Sequence, residues 1–163
     1  MFFSNKIMYS INDLAPYIAD EISNGNKVRL TVTGNSMYPL LRNRRDAVTL
    51  EKTDMPKKYD IVFYRRPNGQ YVLHRVLNVY KNHLIIAGDG ETEREYAVPV
   101  SAVMARVTSV IRRNSDGDRE YNLNELWYRV YVRLWNFLFP LRHVIIWCRI
   151  KIGRLINGKK GKK

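Results

Sequence analysis

Lys27-Val28-Arg29-Leu30-Thr31-Val32-Thr33-Gly34-Asn35-Ser36-Met37-Tyr38-Pro39 (residues 27–39) is the stretch on which the fold turns. Val28, Leu30 and Val32 alternate with Lys27, Arg29, Thr31 and Thr33, the period-two pattern of a strand with one face buried. The alternation runs into Gly34, and a serine two residues on stands on a tight turn directly after a strand. Backbone N–H groups can converge at such a turn, which a nucleophilic serine needs to receive the oxyanion formed on attack. Taken alone, a serine in a glycine-rich turn is more often structural than chemical.

Outward from this strand the pattern is mixed. Ile11, Leu14, Ile18 and Ile22 recur at helical spacing and Gly25 offers a C-cap, so a short amphipathic helix is predicted over 11–24. Further strands are predicted at 46–51, 60–65, 71–80, 84–87 and 102–112, with Pro67-Asn68-Gly69 as a hairpin turn. The class is therefore mainly β, within α+β.

The chain has 163 residues, 45% of them hydrophobic, enough for one domain with an appendage or one domain alone. Its net charge of +13 predicts attraction to an acidic polymer or surface, either nucleic acid or anionic lipid. Cys148 is the one cysteine, so no intramolecular disulfide can form, which fits a reducing, cytoplasmic compartment. Phe2 and Phe3 do not make an apolar core long enough for export, and no secretory signal is expected. Nor is there a run of the ~18 apolar residues that a conventional spanning helix needs.

Charge divides the chain unevenly. From Arg119 onward there are eleven Lys/Arg against Glu120 and Glu125, whereas the part before holds seventeen basic and thirteen acidic residues. The shift falls at Asn114-Ser115-Asp116-Gly117-Asp118, a turn-rich stretch. The expected organisation is a helical arm at 1–26, a β-rich domain at 27–113 and a basic amphipathic helical tail at 119–163.

Two more segments carry candidate chemistry. Tyr71-Val72-Leu73-His74-Arg75-Val76 holds a histidine inside an apolar strand, and Ala87-Gly88-Asp89-Gly90-Glu91 holds an aspartate between glycines after another strand. Separately, these read as a satisfied strand histidine and a turn residue. A base would need a serine within about 3 Å and a group to orient its other ring nitrogen.

Taken in order, Ser36-Met37 with Pro39, Tyr59-Asp60-Ile61-Val62-Phe63, His74-Arg75-Val76 and Gly88-Asp89 resemble the serine peptidases of the signal-peptidase and LexA-like group over roughly 27–110. The histidine resembles the endoplasmic-reticulum and archaeal branch, where other members carry lysine. The resemblance implies a signal-peptidase/LexA-like β-fold and a serine endopeptidase. In it Ser36 would be the nucleophile, His74 the general base and Asp89 the residue holding His74 in its productive tautomer. Glu93 and Glu95 are the alternatives for that last role. Gly34, Asn35 and Met37 would form the oxyanion and substrate-binding turn. Gly34 stands where signal peptidases often have a second serine, as in the LexA-like branch, so the Ser36 N–H would carry more of the oxyanion's charge. The implied substrate is an extended peptide with small side chains near the scissile bond, and no cofactor is implied.

Other readings stay open. The same fold could hold a peptide or partner without cleaving it, and the basic charge could serve nucleic acid, although no recognised binding motif accompanies it. In the tail, Trp127, Val130, Tyr131, Leu134, Trp135 and Leu138 form one broad face, and Pro140 should interrupt the run before a second basic-apolar segment at 141–156. Trp127, Trp135 and Trp147 interleave with Arg129, Arg133, Arg142, Arg149, Lys151 and Arg154, a composition suited to an anionic membrane surface on the cytoplasmic side. Packing of one helix face on the β domain is the alternative. His83 is expected in solvent at a strand entrance and His143 on the basic face. No spacing of Cys, His, Asp and Glu suggests a metal site, and no glycine-rich phosphate loop is present.

Overall fold

The computed structural model describes residues 11–142, together with 144 and 148. Helix α1 (Ile11–Ser23) is followed by strands β1 (Val28–Thr31), β2 (Asp46–Glu51), β3 (Ile61–Arg65), β4 (Tyr71–Val79), β5 (His83–Ala87), β6 (Glu95–Pro99), β7 (Val103–Asn114) and β8 (Gly117–Asn122), then helix α2 (Leu126–Phe137). All strand pairings are antiparallel, in the order β1-β2-β7-β3-β4-β5-β6, with β8 also on β7. Twelve-residue β7 is the spine: its first part pairs with β3, its later part with β8, and its other side with β2.

The alternation read at 27–33 is realised in β1, where Val28 and Leu30 are turned inward and Arg29 and Thr31 outward. Helix α1 lays Ile18 and Ile22 on the same core as Val48, Leu50, Ile61, Phe63 and Val107. Its end is closed by Gly25, whose N–H reaches Ile22 O while the Asn26 N–H reaches Glu21 O. A second core, of Val62, Tyr64, Val76, Leu84, Ile86 and Val98, fills the other face of β3–β5. The Pro67-Asn68-Gly69 hairpin joins β3 to β4, with Arg66 N–H on Gln70 O at 2.8 Å.

Two strands add to those expected. The stretch read as a boundary at 114–118 is the turn of the β7–β8 hairpin, so 117–122 belongs to the sheet and not to a helical tail. Strand β6 follows the Gly88–Gly90 loop and forms an edge on β5. Helix α2 forms where basic amphipathic character was read, but its two sides differ. Tyr128 and Val132 are buried in the first core and Trp135 is turned to the domain, while Leu126, Val130, Leu134 and Phe137 are exposed. No described helix is long and apolar enough to cross a membrane. Expectations for His143, Trp147, Arg149, Lys151, Arg154 and the end of the tail lie outside the described residues.

Candidate functional site

Strand β4 sets the geometry of the site. Side chains alternate along a strand, so His74 and Arg75 project to opposite faces. His74 lies opposite Val62 of β3 and is 1% exposed. Its Nδ1 is 3.0 Å from Glu95 Oε1 on β6, with the Tyr64 hydroxyl 3.4 Å from the same nitrogen. A carboxylate only accepts, so Nδ1 carries the proton and donates to Glu95. That assignment leaves the Nε2 lone pair free in the neutral ring, and Nε2 faces Glu91 Oε2 at 3.5 Å.

Glu95 is itself fixed. Arg66, at the β3–β4 hairpin, donates from Nη2 at 2.6 Å and from Nε at 3.1 and 3.2 Å to its two oxygens. Burial pushes the Glu95 carboxyl up, but the Arg66 hydrogen bonds prevail and hold it below the usual carboxylate range. Burial also pushes the His74 imidazole below its ordinary 6.5, against the pull of Glu91 and Glu95. The ring is thus neutral near pH 7, with its orientation set by a charged acid.

Asp89 is not at the imidazole. Arg75 takes it by two bonds, Nε to Oδ1 at 2.7 Å and Nη2 to Oδ2 at 2.6 Å, and both residues are 0% exposed. The same guanidinium donates to Tyr59 O at 2.9 Å and to the Tyr128 hydroxyl at 2.6 Å. The physical reason lies in the pleat: Arg75 pairs with Ala87, so Asp89, two residues on, meets the guanidinium of Arg75, while it is Glu91 of the same loop that reaches the imidazole. Glu93 is exposed. Of the three acids considered for orienting His74, Glu95 is the one in contact with it.

The serine turn is held from both ends. Gly34 has φ +88°, a left-handed conformation that side chains disfavour, and its N–H binds Asn43 Oδ1 at 3.0 Å. Asn35 is exposed and its carbonyl accepts the Tyr38 N–H at 3.0 Å. Met37 turns its side chain into the first core, so it anchors the turn and its backbone alone is offered to the site. Among the described residues no acceptor meets the N–H of Ser36 or Met37, and Ser36 Oγ makes no hydrogen bond. Ser36 lines a cavity of about 90 Å³ with Tyr71, Val72 and Leu73, the residues that lead into His74.

The Gly88–Gly90 loop brings turn and imidazole together. Gly90 N–H donates to Ser36 O at 2.7 Å. A Cβ on Gly88 would stand 2.5 Å from Ser36 O and 3.0 Å from Glu91 Oε2, and one on Gly90 2.7 Å from Asn35 O. Glycine is needed at both positions because the backbones of loop and turn are in contact. Glu91 Oε2 thus stands near both Nε2 of His74 and the Gly88 backbone that touches the serine turn, and no hydrogen bond joins Ser36 to His74. Helix α2 and the segment after it fasten the loop from behind: Trp135 Nε1 donates to Asp89 O and Arg142 Nη1 to Gly88 O, each at 3.1 Å.

Sequence reading missed Arg66 and Tyr64, and gave Glu91 no role. No local signal marks Arg66, because it meets Glu95 across 29 positions of chain. His83 is exposed at the start of β5, stacked on Tyr80. Among the described residues no group of three or more His, Cys, Asp or Glu side chains could hold a metal ion. Compared with protein-family models, with curated proteins and with solved structures, the chain matches none of them.

Proposed function

We propose that this chain is a serine endopeptidase with a signal-peptidase/LexA-like β domain, in which Ser36 is the nucleophile, His74 the general base and Glu95 the acid that orients it. The observation that carries the reading is the buried His74 with Nδ1 on Glu95 and Nε2 facing Glu91 of the loop that also touches the Ser36 turn. A neutral imidazole held by a charged acid is the state a general base needs near neutral pH.

In the proposed reaction Nε2 takes the Ser36 proton as Oγ adds to the peptide carbonyl carbon. The oxyanion meets the N–H groups of Ser36 and Met37. Nε2–H then protonates the leaving amine as the C–N bond breaks, leaving an acyl-enzyme. Water, deprotonated by the same nitrogen, hydrolyses the ester and returns the proton to Ser36. Catalytic hydrogen bonds are often formed only with substrate present, so the unformed Ser36–His74 bond belongs to the free enzyme. Glu91 must withdraw from Nε2 for the bond to form. The substrate class is an extended peptide with small side chains at the scissile bond, met at the cytoplasmic face of a membrane.

A second reading, a peptide-binding protein without turnover, is favoured by the Glu91 carboxylate standing on the Nε2 side. Mass spectrometry after incubation with an activated serine-directed peptide phosphonate separates the two. The peptidase gives one adduct on Ser36, lost in Ser36→Ala and slowed in His74→Ala. A folded protein that forms no adduct, with lipid supplied, is the binding protein.

A further inference from the structure

Helix α2 is apolar on two sides, and its own domain covers one of them. Leu126, Val130, Leu134 and Phe137 recur every three or four residues and are 73%, 58%, 58% and 80% exposed. Leu141 and Val144 continue the spacing and are also exposed. A surface helix in water normally presents polar residues on its outer face, so a stripe of this length calls for a covering partner.

The chemistry beside the stripe says which partner. Between α2 and the outer face of β4–β5 lies a cleft of about 790 Å³, with Leu77 and Ile85 in its floor and Val130, Leu134 and Phe137 in its wall. Lys58, Arg94 and Arg133 line it and no carboxylate does. None of the three forms an ion pair among the described residues; Lys58 lies over the Tyr59 ring and Arg94 over Phe139. We infer that this face docks on an anionic lipid bilayer, the apolar stripe entering the acyl boundary while Lys58, Arg94, Arg133 and the exposed Arg129 meet lipid phosphates.

Other occupants fit less well. A second copy would set these cations against themselves on a chain of net charge +13. Nucleic acid would satisfy the cations and leave Leu126, Val130 and Leu134 without cover. Residues 145–163 hold seven Lys/Arg and no Asp/Glu, so they cannot neutralise the cleft. The docking face differs from the one the sequence suggested, because Trp135 is turned inward, stacked on Tyr131 and bonded to Asp89 O. Its inner side is fastened to the loop of Gly88 and Asp89, so docking would fix the serine turn at a set height above the bilayer.

The inference does not rest on the peptidase reading, since its readout is binding and needs no Ser36. The full chain is mixed with phosphatidylcholine vesicles with and without phosphatidylglycerol, at low and high salt, and binding is followed by flotation. A Leu134→Ser/Phe137→Ser variant is expected to partition about tenfold more weakly to anionic vesicles at high salt, with its thermal melt unchanged. Arg94→Glu/Arg133→Glu is expected to lose the preference for phosphatidylglycerol. Binding that vanishes at high salt and ignores the stripe variant would assign it to the basic tail alone and overturn the proposal. So would a lipid-free dimer abolished by the stripe variant, which makes the face a contact between copies. A lowered melt in that variant with unchanged vesicle binding would mean the chain covers the stripe itself, and would equally end it.

Discussion

Glu95 Oε1 lies 3.0 Å from Nδ1 of His74, while Asp89 is bound through both oxygens to Arg75. Two neighbouring residues of one strand thus take two different acids on opposite faces of the sheet. In one pair the carboxylate of Glu95 is only half-buried, and that pair can serve chemistry. The other is sealed, and its work is to tie β4, the loop after β5 and Tyr128 of α2 together.

These positions predict opposite phenotypes. Glu95→Gln keeps the volume but no longer favours the Nδ1–H tautomer or the charged imidazole, so phosphonate labelling of Ser36 should slow on the order of a hundredfold or more. Its denaturation midpoint should stay near that of the parent protein. Asp89→Asn leaves a buried guanidinium without its charge partner and should cost about 3–5 kcal/mol in chemical denaturation. If Asp89→Asn instead melts normally and abolishes labelling, the roles given to the two acids are reversed.

Arg66 tests the same arrangement from one step further out. It touches neither the serine nor the imidazole and acts by holding the Glu95 carboxylate in place and charged. In Arg66→Met the Glu95 carboxyl should rise, because the hydrogen bonds and charge of Arg66 that help lower it are gone while burial remains. Labelling should slow less than in Glu95→Gln, and Arg66→Lys should recover part of the rate. Equal losses in both Arg66 variants, accompanied by a lowered melt, would reduce Arg66 to a structural residue.

Why some of this was legible and the rest was not follows from what each residue buries. Helix α1 and strands β1–β5 announce themselves because each packs apolar residues on a core, at helical spacing in α1, on one face in β1 and on both faces in β3. Strand β6 has Val98 as its one buried residue, and Gly117-Asp118-Arg119-Glu120-Tyr121-Asn122 has none, so both are held mainly by ladder hydrogen bonds that leave no pattern. At the site, Ser36 and His74 could be picked out by their setting after or within a strand. Asp89 stood out through its flanking glycines, yet those glycines are required by the approach of the Ser36 turn and say nothing about the aspartate's direction. The pleat carried a hint: Arg75 and His74 project to opposite faces, so one aspartate cannot serve both. Helix α2 merged into one broad face in sequence because aromatic and aliphatic residues sit on both its sides.

Gly88→Ala probes the contact between loop and turn. The added methyl carbon would stand 2.5 Å from a backbone oxygen of Ser36, which cannot swing aside as a flexible side chain would. The turn must shift, and a misplacement near 1 Å costs about a hundredfold in a positioned reaction. Labelling of Ser36 should therefore fall by about that much. Alanine at Gly117, in the β7–β8 turn where no atom would stand within 4 Å of the added carbon, controls for glycine replacement in a turn away from the site. It should leave labelling unchanged, and an equal loss there would remove the significance of Gly88.

Glu91→Ala asks whether the carboxylate at Nε2 restrains the base. Glu91 Oε2 stands 3.5 Å from Nε2, the ring nitrogen proposed to take the Ser36 proton. Removing it should speed phosphonate labelling several-fold near pH 7. The pH profile gives an independent reading. The proposed base can act only when neutral, so labelling should be present above the His74 pKa and lost as pH falls through that value. Burial already sets that acid limb below 6.5, with Glu91 pulling the other way. Without Glu91 the limb should move to still lower pH, whereas Arg66→Met, which removes a neighbouring cation that lowers the His74 pKa, should move it up. A Glu91→Ala protein that labels more slowly and keeps the parent limb would make Glu91 part of the catalytic machinery and not a restraint on it.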